Sequence, residues 1–343
     1  MEEFVGFQLK NLGDVLMTIP ALALIKKYRP KSRLVMVVRP QTAPLLENHP
    51  LVDEVIAHQF QPRAFDWRNS RRLAQYLRKK EPVASFHFDG QQRGGILAFW
   101  ARLPVRAVGL GILGVGGLKS SWLYNKKANL KPKDGSWESL ALSHQRLVAE
   151  VLGVEPEPDI DPPKISLPQS SKDKAKALLE TWPGTGPIVG LTLRGRQKEK
   201  SWPLDYWAQV MEILRREKNA RFYVTGEKDD AVLAKSLASL GSVDLANFCG
   251  QTDLLEFVAL AAASDLFLTI DTGSAHLVSL TSTPLATIFT ATNPLQWGAL
   301  SRKQAIICYN WALARFGLLK GSFVGYPVIR PEEVAKVAAS LLA

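Results

Sequence analysis

Residues 4–28 read FVGFQLKNLGDVLMTIPALALIKKY, and their pattern decides the fold. Phe4 to Leu9 is a short apolar run of strand-forming residues, Lys10 to Asp14 is a polar loop with a glycine, and Val15 to Tyr28 carries apolar residues at helical spacing. Such a strand–loop–helix unit is the building block of a parallel sheet covered by helices.

The unit recurs along the chain. Further strands are expected at Leu34–Val38, Glu54–Ala57, Val83–Phe88 and Ala107–Gly109, with helices near Arg68–Lys80, Ile96–Arg102 and Glu138–Leu152. The segment EPEPDIDPPKISLP, Glu155–Pro168, holds five prolines and four acids and reads as a linker. Beyond it, strands are expected at Ile188–Leu193, Arg221–Thr225, Asp244–Phe248, Leu266–Ile270 and Leu285–Phe289, each followed by a helical pattern, and a last helix at Pro331–Leu342. The fold class read from this is α/β, with two doubly wound Rossmann-like domains facing a central cleft. They span residues 1–160 and 161–330, and the C-terminal helix 331–343 has the option of packing back on the first.

Composition narrows the classes. The chain has 343 residues, 46% hydrophobic and 22% charged, so it resembles neither a disordered, a collagenous nor a coiled-coil protein. Cys249 and Cys308, its two cysteines, make no disulfide framework and no CxxC pair, which points to the cytoplasm. The acidic start MEEFVGFQLK has the wrong charge order for a signal peptide, and no apolar stretch supplies the roughly 18–20 residues a spanning helix needs. Net charge is +11, with 24 basic residues against 16 acidic ones up to residue 165. That excess suits an anionic membrane surface or a phosphorylated substrate. Nucleic acid is the poorer match, since no basic stretch interleaved with aromatics accompanies the charge. The run Arg71, Arg72, Arg78, Lys79 and Lys80 is also readable as an ordinary solvated helix face.

In doubly wound sheets, ligands bind outside the carboxyl ends of the strands. After the first strand come Lys10, Gly13 and Asp14; the glycine allows unusual backbone, and the aspartate either caps the helix or presents its carboxylate to a ligand. After the strand ending at Leu193 come Arg194, Arg196, Lys198 and Lys200, with Pro203 in the first turn of the next helix, a cationic loop suited to phosphate or to plain solvation. Glu227 follows the next strand, where a carboxylate can bind a ribose diol or stand as a surface acid. Asp271, Thr272, Gly273 and His276 follow a buried strand and form a second anion cradle, with His276 by itself read more readily as a buried structural histidine than as a proton carrier. Asp159-Ile160-Asp161 mimics a metal-binding DxD triplet but lies in the linker, so no metal ligand is assigned. The loop after the first strand is not a GxGxxG loop, so a dinucleotide fingerprint is absent where it should be, and there is no HExxH, GxSxG or P-loop motif.

Together, GDVLMTIPALALIKKYRP, VMVVRPQTAPLLENHPLVDEVI, EKSWPLDYWAQV, VTGEKDD, FCGQTDLLEFVALAAASDLFLTIDTGSAHL and NPLQWG resemble, in order and spacing, glycosyltransferase family 9, the bacterial heptosyltransferases of lipopolysaccharide core assembly. The resemblance runs from Phe4 to about Gly298 and is weakest over Gly111–Pro132. It implies a GT-B fold with an acceptor-binding first domain and a nucleotide-sugar-binding second domain. The implied reaction is inverting and metal-independent, moving heptose from an ADP-heptose-type donor to a lipopolysaccharide inner-core acceptor at the cytoplasmic face of the inner membrane. No cofactor is implied beyond the donor.

In that scheme Asp14 is the general base and Lys200 stabilises the departing diphosphate. Arg194, Glu227, Asp271, Thr272, Gly273 and His276 would bind donor, and Lys10, Gly13 and Arg93 acceptor. Three places depart from the family pattern. Thr290-Ala291-Thr292-Asn293-Pro294 replaces Gly-Pro-Thr-Asp-Pro, Ser274-Ala275 replaces a Pro-Met-like pair, and Asp89–Arg93 is a variant loop. They leave open another sugar nucleotide, a protein or other polysaccharide acceptor, or a non-catalytic nucleotide-sugar binder.

Overall fold

A computed structural model describes residues 1–59, 67–110, 121–130, 138–157, 159, 165–195, 197–241, 244–309 and 323–342. The chain divides into two compact units, Met1–Ser166 and Leu167–Ala343.

In the first unit the strands are β1 (Glu3–Gln8), β2 (Arg33–Val38), β3 (Glu54–Ala57), β4 (Ala84–His87), β5 (Arg106–Leu110) and β6 (Lys126–Asn129), and the helices are α1 (Leu12–Leu16), α2 (Ile19–Tyr28), α3 (Pro44–Glu47), α4 (Trp67–Lys79), α5 (Gln92–Trp100) and α6 (Leu140–Leu152). The strands pair in parallel in the order β3-β2-β1-β4-β5-β6. Every residue of central β1 is buried, as expected for a strand covered on both faces. On one face Val5, Phe7 and Leu9 pack with Leu73, Ala74 and Leu77 of α4 and Leu97 and Ala98 of α5.

The helix expected over Val15–Tyr28 is in fact two. Pro20 has no N–H to donate and would clash with a carbonyl one turn back, so the chain breaks at Met17–Thr18 and restarts with Pro20 in the first turn of α2. Thr18 Oγ1 donates to Val15 O (2.6 Å) and His144 Nδ1 to Met17 O (3.1 Å), fixing the break.

The second unit contains β7 (Ile188–Thr192), β8 (Arg221–Val224), β9 (Leu245–Asn247), β10 (Leu266–Ile270), β11 (Leu285–Phe289), β12 (Gln304–Tyr309) and β13 (Phe323–Tyr326), with α7 (Gln169–Glu180), α8 (Leu204–Lys218), α9 (Ala231–Leu240), α10 (Leu254–Ala262), α11 (Gly273–Val278), α12 (Pro294–Trp297) and α13 (Pro331–Leu341). The order β9-β8-β7-β10-β11-β12-β13 repeats the first sheet's pattern with one more strand, again all parallel. Trp207 and Leu214 of α8 lie in its core with Val334, Ala335 and Ala338 of α13. The terminal helix therefore packs within the second unit, and the option of its returning to the first is not taken.

β6, β12 and β13 were not anticipated, nor was α7. In β6, KKAN, only Ala128 is buried, so this edge strand carries almost no hydrophobic signal.

Candidate active site

Each sheet has one place where the strand order reverses, and there the loops leaving two neighbouring strands diverge and open a crevice. In the first unit it lies between β1 and β4, in the second between β7 and β10. Most of the residues singled out from the sequence stand at these two points.

At the first crevice, the chain leaves β1 through half-buried Lys10 into α1, capped by Asn11 in extended conformation (φ −85°, ψ 173°). Asp14 is the third helical residue and half-buried; its Oδ2 accepts the Asn11 N–H at 3.0 Å. This is the reciprocal half of a capping box, so the capping role left open by the sequence is real. It occupies one oxygen. Among the described residues Oδ1 accepts no hydrogen bond, so the two roles are compatible. Gly13 lies within α1 and outside the left-handed region, which corrects the expectation that the loop needs its conformational freedom. Arg93 is half-buried in the first turn of α5.

Asp89, noted in the sequence only as part of a variant loop, is the hinge pin of this crevice. It is 2% exposed, and its carboxylate accepts the N–H of Leu9 after β1 (2.7 Å) and of Gln91 after β4 (2.8 Å). One side chain thus ties together the ends of the two strands that flank the reversal. Burial pushes its carboxyl up to about 6, against the pull of the two N–H bonds and Lys10, while the charge of Asp14 adds to the rise. Behind it His144 packs edge-on against Phe88 and is buried, which lowers it to about 4, so the ring is neutral at pH 7.

In the second unit, the loop after β7 forms a single 3₁₀ turn at Lys198–Lys200, and Pro203 caps α8 rather than entering it. Lys200 Nζ donates to Asp271 Oδ2 at 2.5 Å; the side chains are 19% and 7% exposed. Thr292, from the loop after β11, donates its hydroxyl to the same oxygen, and Thr290 Oγ1 bonds Glu199 O at 2.9 Å. Three loops from β7, β10 and β11 therefore converge on one carboxylate. Thr272 caps α11, Gly273 begins it, and His276 is buried in it, 7% exposed.

Two predicted residues stand in a neighbouring cluster. Arg194 Nε pairs with Asp230 Oδ1 at 2.8 Å, and Asp230 Oδ2 accepts the Glu227 N–H at 2.9 Å. Glu227 itself is exposed at the end of the loop after β8. A side chain at Gly226 would meet Asp230 Oδ2 at 2.5 Å and push that carboxylate off the Glu227 N–H. Arg196, Ile160 and Asp161 lie outside the described residues; Asp159 is exposed.

Sequence reasoning missed Asp89, Asp230 and Thr292 as site residues. The same rule that found the others, the residues just past a strand's carboxyl end, would have reached Asp89 and Thr292. Where the family pattern has Asp, Asn293 caps α12, its Oδ1 accepting the Leu295 N–H at 3.0 Å.

Comparison with known proteins follows the same lines. The lipopolysaccharide heptosyltransferase 2 of Salmonella typhimurium is 24% identical over 306 residues, 86% of this chain and 85% of that protein. A solved family 9 glycosyl transferase from Veillonella parvula superposes with a TM-score of 0.81 at 20% identity, covering 99% of this chain and 97% of that one. The E. coli ADP-heptose LPS heptosyltransferase II gives 0.76 at 19% identity, covering 100% and 98%. Both span the two Rossmann-like units, the GT-B pairing. Residues 98–318, well over half of the chain, match the model of glycosyltransferase family 9 (heptosyltransferase), and the protein is a member of that family of glycosyltransferases.

Proposed function

We propose that the protein transfers heptose from ADP-heptose to a lipopolysaccharide inner-core acceptor at the cytoplasmic face of the inner membrane, with inversion and without a metal ion. The observation that carries the reading is the convergence of Lys200, Asp271 and Thr292 at the reversal point of the second sheet, a buried carboxylate holding a cation ready beside the place where a donor diphosphate would bind.

The acceptor hydroxyl attacks the anomeric carbon as the bond to the diphosphate breaks. Asp14 Oδ1 takes the hydroxyl proton in the transition state, a task that needs position more than basicity. Negative charge grows on the leaving ADP, and Lys200 turns from Asp271 toward it, binding the transition state more strongly than the ground state. Arg194 adds a second cation, Glu227 accepts hydrogen bonds from the ribose hydroxyls, and Thr272, Gly273 and His276 line the sugar and phosphates. Lys10, Gly13 and Arg93 meet the acceptor in the first unit. Charge neutralisation by side chains is what lets the scheme run without a metal.

The test is Asp14→Ala with ADP-heptose and extracted core acceptor. Turnover is lost while calorimetric donor binding persists; unchanged turnover removes Asp14 from the role. A second reading, another sugar nucleotide or a different acceptor, draws support from the neutral Asn293 in place of the family's Asp. A thermal-shift screen of ADP-, UDP- and GDP-sugars separates the two, since a donor at about 100 times its Kd adds roughly 2.7 kcal/mol of stability.

A further inference from the structure

The α4–α5 face of the first unit carries features the catalytic reading does not use. Trp67 and Trp122 are 64% and 63% exposed and Phe99 is 41% exposed, far more than such rings show when they serve a core. They are not scattered. Trp67 packs on Trp100 (ring centroids 5.1 Å apart) and Phe99 on Trp122 (5.2 Å), and α5 joins the two pairs through adjacent residues.

The same segment is rich in cations. Residues 67–110 hold nine Lys and Arg against two acids, Glu81 and Asp89, and Asp89 is buried. At helical spacing Arg71 and Arg78 follow Trp67 along one flank of α4, with Arg68, Arg72 and Lys79 on its outer ridge, opposite buried Leu73 and Leu77. Among the described residues none of these five cations forms an ion pair, whereas Lys80, on the other flank, is bound to Glu54 at 2.6 Å. An uncompensated positive field around exposed indoles remains.

We propose that this face docks the protein on an anionic lipid bilayer. Tryptophan partitions to the bilayer–water boundary, where its ring is half in hydrocarbon and its N–H stays wet, and arginines beside it gain from anionic headgroups. A nucleic acid would need open ring faces for its bases. Here Arg106 already lies over one face of Phe99, 5.6 Å from its centroid. The choice of a bilayer also rests on the proposed acceptor being lipid-anchored. Among the described residues no helix is long and apolar enough to cross a membrane, so contact of this kind is peripheral.

The experiment is co-sedimentation of the full chain with vesicles of phosphatidylcholine alone or mixed with phosphatidylglycerol, with tryptophan emission recorded. The protein binds the anionic vesicles only, its emission shifts to the blue, and binding falls steeply between about 0.1 and 0.5 M salt. Combined Arg68→Gln, Arg71→Gln and Arg72→Gln weakens binding roughly tenfold or more. Trp122→Ala, at a position with no core role, weakens it independently. Arg215→Gln, Arg216→Gln and Lys218→Gln, at the end of α8 in the other unit, leave it unchanged. Equal binding to both vesicles, wild-type binding by the Arg variant, or retention on a single-stranded oligonucleotide without vesicle binding overturns the proposal. Calorimetric ADP-heptose binding by the same preparations reports on the donor site alone, so the two readings fail separately.

Discussion

Replacing Asp89 with Asn probes how the first crevice is held open. The carboxylate accepts two backbone N–H groups, from Leu9 and Gln91, on two different oxygens. The amide keeps one acceptor and turns an NH2 toward the other N–H, leaving a buried donor unpaired at a cost of about 1–3 kcal/mol. A second effect has the opposite sign. Burial raises the folded-state pKa of Asp89 from 3.8 to about 6, so the folded chain binds more protons than the unfolded one between those values. Wild-type stability is therefore greatest below the unfolded pKa and declines as pH rises through the folded one, by about 2 kcal/mol between roughly pH 4.5 and 7.5. Asparagine has no such dependence. The deficit of Asp89→Asn, measured by urea unfolding of both proteins across that range, should narrow by about 2 kcal/mol toward pH 7.5. Parallel profiles, with a constant difference, would refute the burial argument, and the absence of any deficit across the range would refute the tie between β1 and β4. Because that tie positions the loop bearing Asp14, the variant should also lose kcat at pH 7.5 while ADP-heptose binding in the second unit is kept.

Three further tests address other parts of the molecule. Lys200→Met removes the cation proposed to meet the leaving diphosphate and should lower kcat by about 10²–10³-fold with a smaller effect on the Kd for the proposed donor, ADP-heptose; a change confined to Kd would make Lys200 a binding residue only. Gly250→Ala places a side chain at φ +71°, with its Cβ 2.9 Å from Lys228 Cα. At about 1–2 kcal/mol it should lower Tm by roughly 2–8 °C and disturb the loop that carries Glu227, and an unaltered Tm would contradict the strain. Burial raises the thiols of Cys249 and Cys308 to about 11, so both should react with a thiol reagent at pH 8 only on unfolding, and rapid labelling of the native protein would show that the sites open.

The alternation of strand and helix patterns was enough to give the α/β class, and most strands fall within a residue or two of where periodicity puts them, because strands buried on both faces, such as β1 and β10, are mostly apolar. The first-unit edge strand β6 was invisible for the complementary reason: with one buried residue it has no pattern to read. Motif order was likewise sufficient to place Asp14, Lys200 and Asp271 at strand ends and to bring out the family. What the sequence could not supply is the pairing of those ends. Strand order is a property of long-range hydrogen bonding, and only once β1 lies beside β4, and β7 beside β10, does Asp89 reach Leu9 and Lys200 reach Asp271 across 71 residues of chain. Burial then turns those meetings into chemistry: an aspartate that local sequence marks only as a loop acid becomes a carboxyl raised toward neutrality because the fold removes its water.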